Sequence, residues 1–387
     1  MALFAAVGQA RALDGREAGL QAAHQALNRL GSNVPILGII ISSYQYDPQQ
    51  VINGVAGLIG NTPVIGFSAP AGFTSEGIQP QSVVLALIAG TDVRADVTWL
   101  AGYTQGSREV SQQLADLLRR KPQLPALVFA DGFNADAEQL CAGLPAGTNL
   151  AGALSSGDMN AGNAYQIGGS QFGAGGLALA RLEGAVRIGV GFGNGWQPVG
   201  SHFKVSRSRG FWVRTLDGRP SSETYAHLFG YPARDWAFPP LNHLARLYPL
   251  GLEQVDKSIL LRSPLRVEAD GSFRMNASVS DGTEAYLLVG SLSVCQQAAS
   301  AAATQALAAL EGARPVLALV LTDIAWQMLF EAQPGADVAA VQAALGADLP
   351  LAGGYTLGQI TPRKDAPPQF LNQHMAVVVF GEMKEEK

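Results

Sequence analysis

Three short stretches limit what this chain can fold into: Val64-Ile65-Gly66-Phe67-Ser68, Leu150-Ala151-Gly152-Ala153-Leu154-Ser155 and Leu351-Ala352-Gly353-Gly354-Tyr355-Thr356. Each is an apolar pair, a glycine and then a small hydroxyl residue, and each sits at the same point in a recurring order of elements. Self-similarity of that kind marks one folding unit used repeatedly. Glycine inside a strand implies close approach of another backbone or of a ligand, packing being the commoner cause.

The first pass predicts a strand over 3–7 and a helix over 15–30 with Asp14 as N-cap and Leu20, Ala23, Leu27 and Leu30 at helical spacing. A buried strand over 36–41 ends in Ser42-Ser43, and a short helix over 49–59 leads to the first anchor, a glycine-bearing turn and a strand over 83–88. The second pass predicts strand 97–100, helix 107–120, strand 127–130 ending at Asp131, helix 135–140, the second anchor and strand 176–182. The third predicts strand 286–289, helix 294–310, strand 316–321 ending in Thr322-Asp323, helix 338–345, the third anchor and strand 376–380. Gly66 and Gly152 are 86 positions apart, whereas Gly152 and Gly353 are 201 apart. The excess is a segment over about 187–282, rich in Gly, Pro and aromatics. It carries a short helix at 222–229 and strands at 259–262 and 265–267 before an Asp270-Gly271 turn. The expected fold is α/β: mixed β-sheets flanked by helices, built from repeated β-α-β-α-β-β units with an irregular central insert.

Composition narrows the function classes. Of 387 residues, 48% are hydrophobic and 15% charged, enough apolar material for a core and too little charge for a disordered chain. A net charge of −5 opposes a nucleic-acid platform. The cluster Lys204, Arg207, Arg209 and Arg214, with Phe211 and Trp212, reads as a solvated strand edge. No apolar run reaches the ~18 residues of a membrane span, and the start reads as a first strand instead of a signal peptide. Two cysteines, Cys141 and Cys295, make neither a disulfide framework nor a metal knuckle, and a reducing cytoplasm is expected.

Catalytic signatures are missing from the sequence. No G-x-S-x-G elbow surrounds Ser68, Ser155 or Ser156, the five histidines show no metal spacing, and Gly168–Gly176 lacks a Walker lysine and reads as a hairpin turn. What remains is a polar rim at strand ends, where α/β proteins hold ligands: Ser42, Ser43, Tyr44, Ser68, Asp131, Asn134, Ser155, Ser156, Asp158, Thr322, Asp323, Tyr355 and Thr356. These residues suit recognition of a small polar molecule, and the same types also cap helices and satisfy turns. An enzyme built on Asp131, Asp158 and Asp323 would need two of them close together in a cleft.

The order of several segments resembles the FIST family. Val64–Gly72 followed by Gln81–Ile88, and Leu127–Phe133 followed by Leu150–Asp158, resemble its N-terminal half. Gly193–Gly200 and Leu216–Pro220 with Tyr225 resemble its middle, and Leu351–Ile360 with Phe370–His374 its C-terminal half. The resemblance implies an N-terminal domain over 1–215 and a C-terminal domain over 216–387. It also implies an intracellular, non-catalytic sensor of a small ligand such as an amino acid, acting through a separate histidine kinase or cyclase. The expected ligand site is Ser68, Asp131, Ser155, Ser156, Asp158, Tyr355, Thr356 and Asn372. Some members of the family bind haem, for which His202, His227 or His374 would be the axial ligand. The chain departs from the family at Phe67 and Ala69, where Cys and Thr are frequent, and at Gln359, where Glu is frequent.

Overall fold

Strand Pro35–Ser43 shows how the sheets are built: an apolar, β-branched run with its last seven residues buried, the pattern of a strand covered on both faces. In the computed structural model, which describes residues 2–254 and 257–383, it runs parallel to Val64–Ala69 and antiparallel to Val83–Gly90. Leu3–Ala10 flanks Val83–Gly90 at the edge. Helix Gly15–Leu30 covers one face. Asp14 accepts from the Glu17 N–H at 2.9 Å to start it, and its buried side is small: Ala18, Gly19, Ala22, Ala23 and Ala26. That smoothness lets it lie so close to the sheet that a Cβ on Gly8 would stand 2.1 Å from the Ala22 carbonyl oxygen.

The second unit repeats this order with strands Val93–Leu100, Leu177–Gly184, Ala126–Asp131 and Leu150–Ser155. The third uses Val186–Gly193, Met375–Glu382, Arg314–Asp323 and Leu351–Thr356. The expected first strand of the third unit, over 286–289, belongs elsewhere: Glu284–Gly290 pairs with Trp196–Arg209 and Leu250–Glu253 in a separate eight-stranded sheet. Glu284–Gly290 lies directly before helix Leu292–Ala308 in sequence and has the same apolar character, which hides the displacement. The central segment is therefore inserted between the first strand and the first helix of the third unit. Its ends meet where the Ser291 N–H donates to the Gly195 carbonyl at 3.1 Å.

Each six-stranded sheet is completed by a hairpin from another unit. Gln166–Gly168 of the second unit pairs with Val64–Ala69 of the first. Gln359–Thr361 of the third pairs with Leu150–Ser155 of the second, and Ala71–Thr74 of the first pairs with Leu351–Thr356 of the third. The exchange closes a ring. Its three sheets turn one face to a shared core that includes Ile39, Phe67, Phe129, Ala151, Leu319 and Phe380, and the other face to helices. Among the described residues, no helix is long and apolar enough to cross a membrane.

Candidate functional site

In each unit the pairing of the two parallel strands fixes which residues at their carboxyl ends correspond. Ser43 lies opposite Ala69, Asp131 opposite Ser155, and Asp323 opposite Thr356. Ser155 and Thr356 are thus equivalents of Ala69, while Ser68 corresponds to Leu154 and Tyr355. The hydroxyls that look equivalent in sequence differ by one position. Side chains alternate along a strand, so Ser68 faces the opposite side from the other two.

The glycines do correspond, and the cause is packing. A Cβ on Gly66, Gly152 or Gly353 would lie 2.4, 1.9 or 2.5 Å from the carbonyl oxygen of Ile40, Val128 or Val320 on the parallel neighbour.

Ser68, Ser156 and Tyr355 come from three different units and meet. The Ser68 hydroxyl donates to the Ser156 carbonyl at 2.8 Å and accepts from the Tyr165 N–H, and the Ser156 hydroxyl donates to the Tyr355 carbonyl at 2.5 Å. All three are buried. Ser155 and Thr356 share a second arrangement. Each donates to the facing strand, to Ala130 and Thr322 carbonyls, and accepts from a glutamine of its own hairpin, Gln166 and Gln359. The first unit has Ala69 in this place and no such pair.

The acidic strand ends serve the backbone. Asp131 accepts from the N–H groups of Phe133, Asn134 and Gly175, and Asp323 from those of Ala325 and Gln373. Gly175 and Gln373 have φ of 70° and 60°, as does Gln81 at 54° in the first unit, and each stands two residues before the returning strand. The carboxylates hold that turn. Asp158 is half-buried and accepts from Asn160 and Ala161 N–H groups. Burial raises the Asp323 pKa, partly offset by buried Arg246. With every one of these carboxylates committed to main-chain donors, the arrangement offers no paired acid and base.

Asn372 lies where the insert meets the ring. Its amide and that of Asn276, on the insert, both donate to the Leu357 carbonyl, at 3.4 and 2.9 Å. Gln373 donates to the Arg246 carbonyl and to Ser263, both on the insert. These carbonyl contacts fix which end of each amide is the donor. They leave the side-chain oxygens of Asn276, Asn372 and Gln373 buried without a partner among the described residues, as are that of Gln359 and the Tyr355 hydroxyl elsewhere in the ring. Beside this seam, Arg262 reaches from the insert to Glu138 at 2.6 Å and lies over the Phe370 ring.

A cleft of about 80 Å³ opens at the same junction, lined by Phe133, Asn134, Met159, Leu265, Arg266 and Arg274 among others. Sequence reasoning placed Asn134 on the rim and missed both arginines. The signal was present in the Asp270-Gly271 turn: pairing across it sets Arg266 directly opposite Arg274.

The histidines are dispersed. His202 is exposed and bonded to Glu284 at 2.7 Å, His227 is exposed on helix Ser221–Phe229, and His374 is buried. The His374 Nδ1–H donates to the Asn372 carbonyl at 2.6 Å, so Nε2 accepts from the Asn194 amide at 3.1 Å. Burial pulls its pKa down to about 4. An axial ligand needs a free ring nitrogen, and both of those of His374 are engaged, so His374 does not fit haem. Among the described residues, no group of three or more His, Cys, Asp or Glu could hold a metal ion.

Comparison with known proteins gives the following. Residues 36–219 match the model of the FIST N domain and residues 222–362 that of the FIST C domain. No curated protein matches. A cyanuric acid hydrolase from A. caulinodans is similar at 8% identity and a TM-score of 0.38, over 99% of this chain and 100% of that one. A second cyanuric acid hydrolase, described as an evolutionary innovation by structural concatenation, gives 6% and 0.36 over 99% and 100%. T. maritima PurL complexed with ATP gives 10% and 0.22 over 98% and 72%. Likenesses this distant carry no argument about this chain.

Proposed function

The chain belongs to the FIST family, built of an N and a C domain in tandem, and on that premise we propose that it senses a small polar ligand held between ring and insert. Family membership supports a general sensory role. The observation that carries the finer reading is the seam itself. Segments of the second and third units meet the insert there, and Asn276, Asn372 and Gln373 bring side-chain oxygens that have no hydrogen-bond partner among the described residues. Buried polar groups are ordinarily paired, and an unpaired one costs roughly 1–3 kcal/mol. A bound molecule that pairs with them removes that cost.

The protein on this reading binds and does not transform. Ligand contact on both sides of the seam favours one position of the insert over the others, and the shift in population is limited by the difference in affinity between positions. The altered face is read by a separate partner such as a histidine kinase or cyclase, in the cytoplasm. Native mass spectrometry of the protein purified from its own source tests this. The expected result is a non-covalent mass of a small molecule that is released on denaturation and reduced in Asn276→Ala. A mass equal to the bare chain, unchanged after incubation with a metabolite extract, would sink the proposal.

A further inference from the structure

The mouth of this site brings two arginines together, one of them without a direct ion pair among the described residues. Arg266 and Arg274 are directly opposite on strands Pro264–Val267 and Phe273–Met275, where like charges repel. Arg266 is exposed and has an ion-pair partner in Glu268 at 3.1 Å. Arg274 is half-buried and, among the described residues, has no carboxylate within ion-pair distance. Its Nη2 donates to neutral oxygens only, the Phe133 carbonyl at 3.1 Å and Asn134 Oδ1 at 3.2 Å, and its Nε is buried without a partner. Its guanidinium lies over the Trp212 ring, 5.6 Å from the ring centre. Arg262 differs in having a direct ion pair, with Glu138 at 2.6 Å, whereas Arg274 has only the more distant fields of Glu268 and Asp131, as Arg246 has that of Asp323.

We propose that the cleft between Asn134, Arg266 and Arg274 takes a single anionic head group, a carboxylate or a phosphate, as the recognition end of the ligand. This rests on the sensory reading above and specifies the ligand for it. A cleft of about 80 Å³ has room for one such head group and lies well below the ~300–1,000 Å³ of a pocket for a drug-sized molecule. Because Asn134 Oδ1 is turned to Arg274, its amide N–H₂ is turned away from that arginine, so the residues supply donors of both charged and neutral type. Planar guanidinium matches either oxyanion with two parallel hydrogen bonds. An anion between the two arginines replaces their repulsion with attraction.

The test is calorimetric titration of the full chain with inorganic phosphate and, separately, acetate, at matched ionic strength. Saturable binding of at least one is expected below about 20 mM. The anion that binds tells a phosphate-bearing ligand from a carboxylate-bearing one. Arg274→Gln should weaken it at least about tenfold, whereas Glu268→Gln, which frees Arg266, should strengthen it. Arg214→Gln, in the neighbouring cleft, should leave it unchanged. If Arg274→Gln does not fold, Glu268→Gln and Arg214→Gln still decide the matter. Absence of saturable binding to the wild type, or binding indifferent to position 274 and 268, overturns the proposal. Should native mass spectrometry retain a neutral or cationic molecule while both anions fail, the anion site falls and the sensory reading stands. No retained ligand of any kind removes the sensory reading itself.

Discussion

At the scale of single residues, the anchor glycines and one buried acid carry the sharpest expectations. Gly152 sits where a methyl would press against the Val128 backbone, which cannot move without shifting a central strand. Gly152→Ala should lower stability by about 3 kcal/mol or abolish folding, read from the urea midpoint. Asp337 lies in the first turn of helix Ala336–Leu345, buried and near Tyr355 and Cys295, and burial raises its pKa from the ordinary 3.8 to about 6. A raised folded pKa means the favourable contribution is complete below 3.8 and lost as pH rises through 6. Asp337→Asn should therefore stabilise the fold by roughly 2–3 kcal/mol at pH 7.5 and by almost nothing at pH 4. His374, held near 4, acts oppositely: it costs stability as pH falls below its ordinary 6.5. Comparing variant with wild type at each pH cancels that term. A gain from Asp337→Asn that grew on acidification would contradict the assignment of the shift to this carboxyl.

At the scale of elements, much was legible because local chemistry agrees with the fold. The helix over 15–30 coincides with Gly15–Leu30, and the glycine-rich segment Gly168–Gly176 holds the tip of a hairpin, at Gly169-Ser170, and its second strand Gln171–Gly173. Two features were hidden. The one-residue slip between Ser68 and Ser155 cannot be seen without partner strands, since register is set by pairing. The displaced first strand of the third unit looks like Glu284–Gly290 in composition, and only its neighbours distinguish them. The site was half legible. Strand-end Ser, Thr and Asp could be found by position, but Asn276, Arg266 and Arg274 come from a segment with no counterpart in the repeats. Docking of that segment leans on Arg262, whose side chain is 2% exposed, and Glu138, which is 41% exposed. Glu138→Ala should cost about 1–2 kcal/mol, discounted for the exposure of the acid. Hydrogen exchange should rise in Ile259–Arg262 and Pro264–Val267 while the ring strands keep their protection. Uniform loss across all three sheets would mean that insert and ring are not separable in this way.

At the scale of the whole molecule, hairpin exchange ties the units together. None of them owns a complete sheet, so residues 1–185, which hold the first two units, lack the Gln359–Thr361 strand that borders Leu150–Ser155. That fragment should show no cooperative thermal transition and few dispersed amide signals, whereas the full chain should show a cooperative transition and well-dispersed signals. A well-folded fragment would show that the exchange is dispensable. The same exchange sets a timetable during synthesis. Strand Leu150–Ser155 leaves the ribosome more than two hundred residues before its neighbour at Gln359–Thr361 and, at roughly 5–20 residues per second, spends tens of seconds with one edge bare. The polypeptide must therefore hold an unfinished, adhesive sheet until Gln359–Thr361 emerges, which makes it a natural client for chaperones that shield nascent chains.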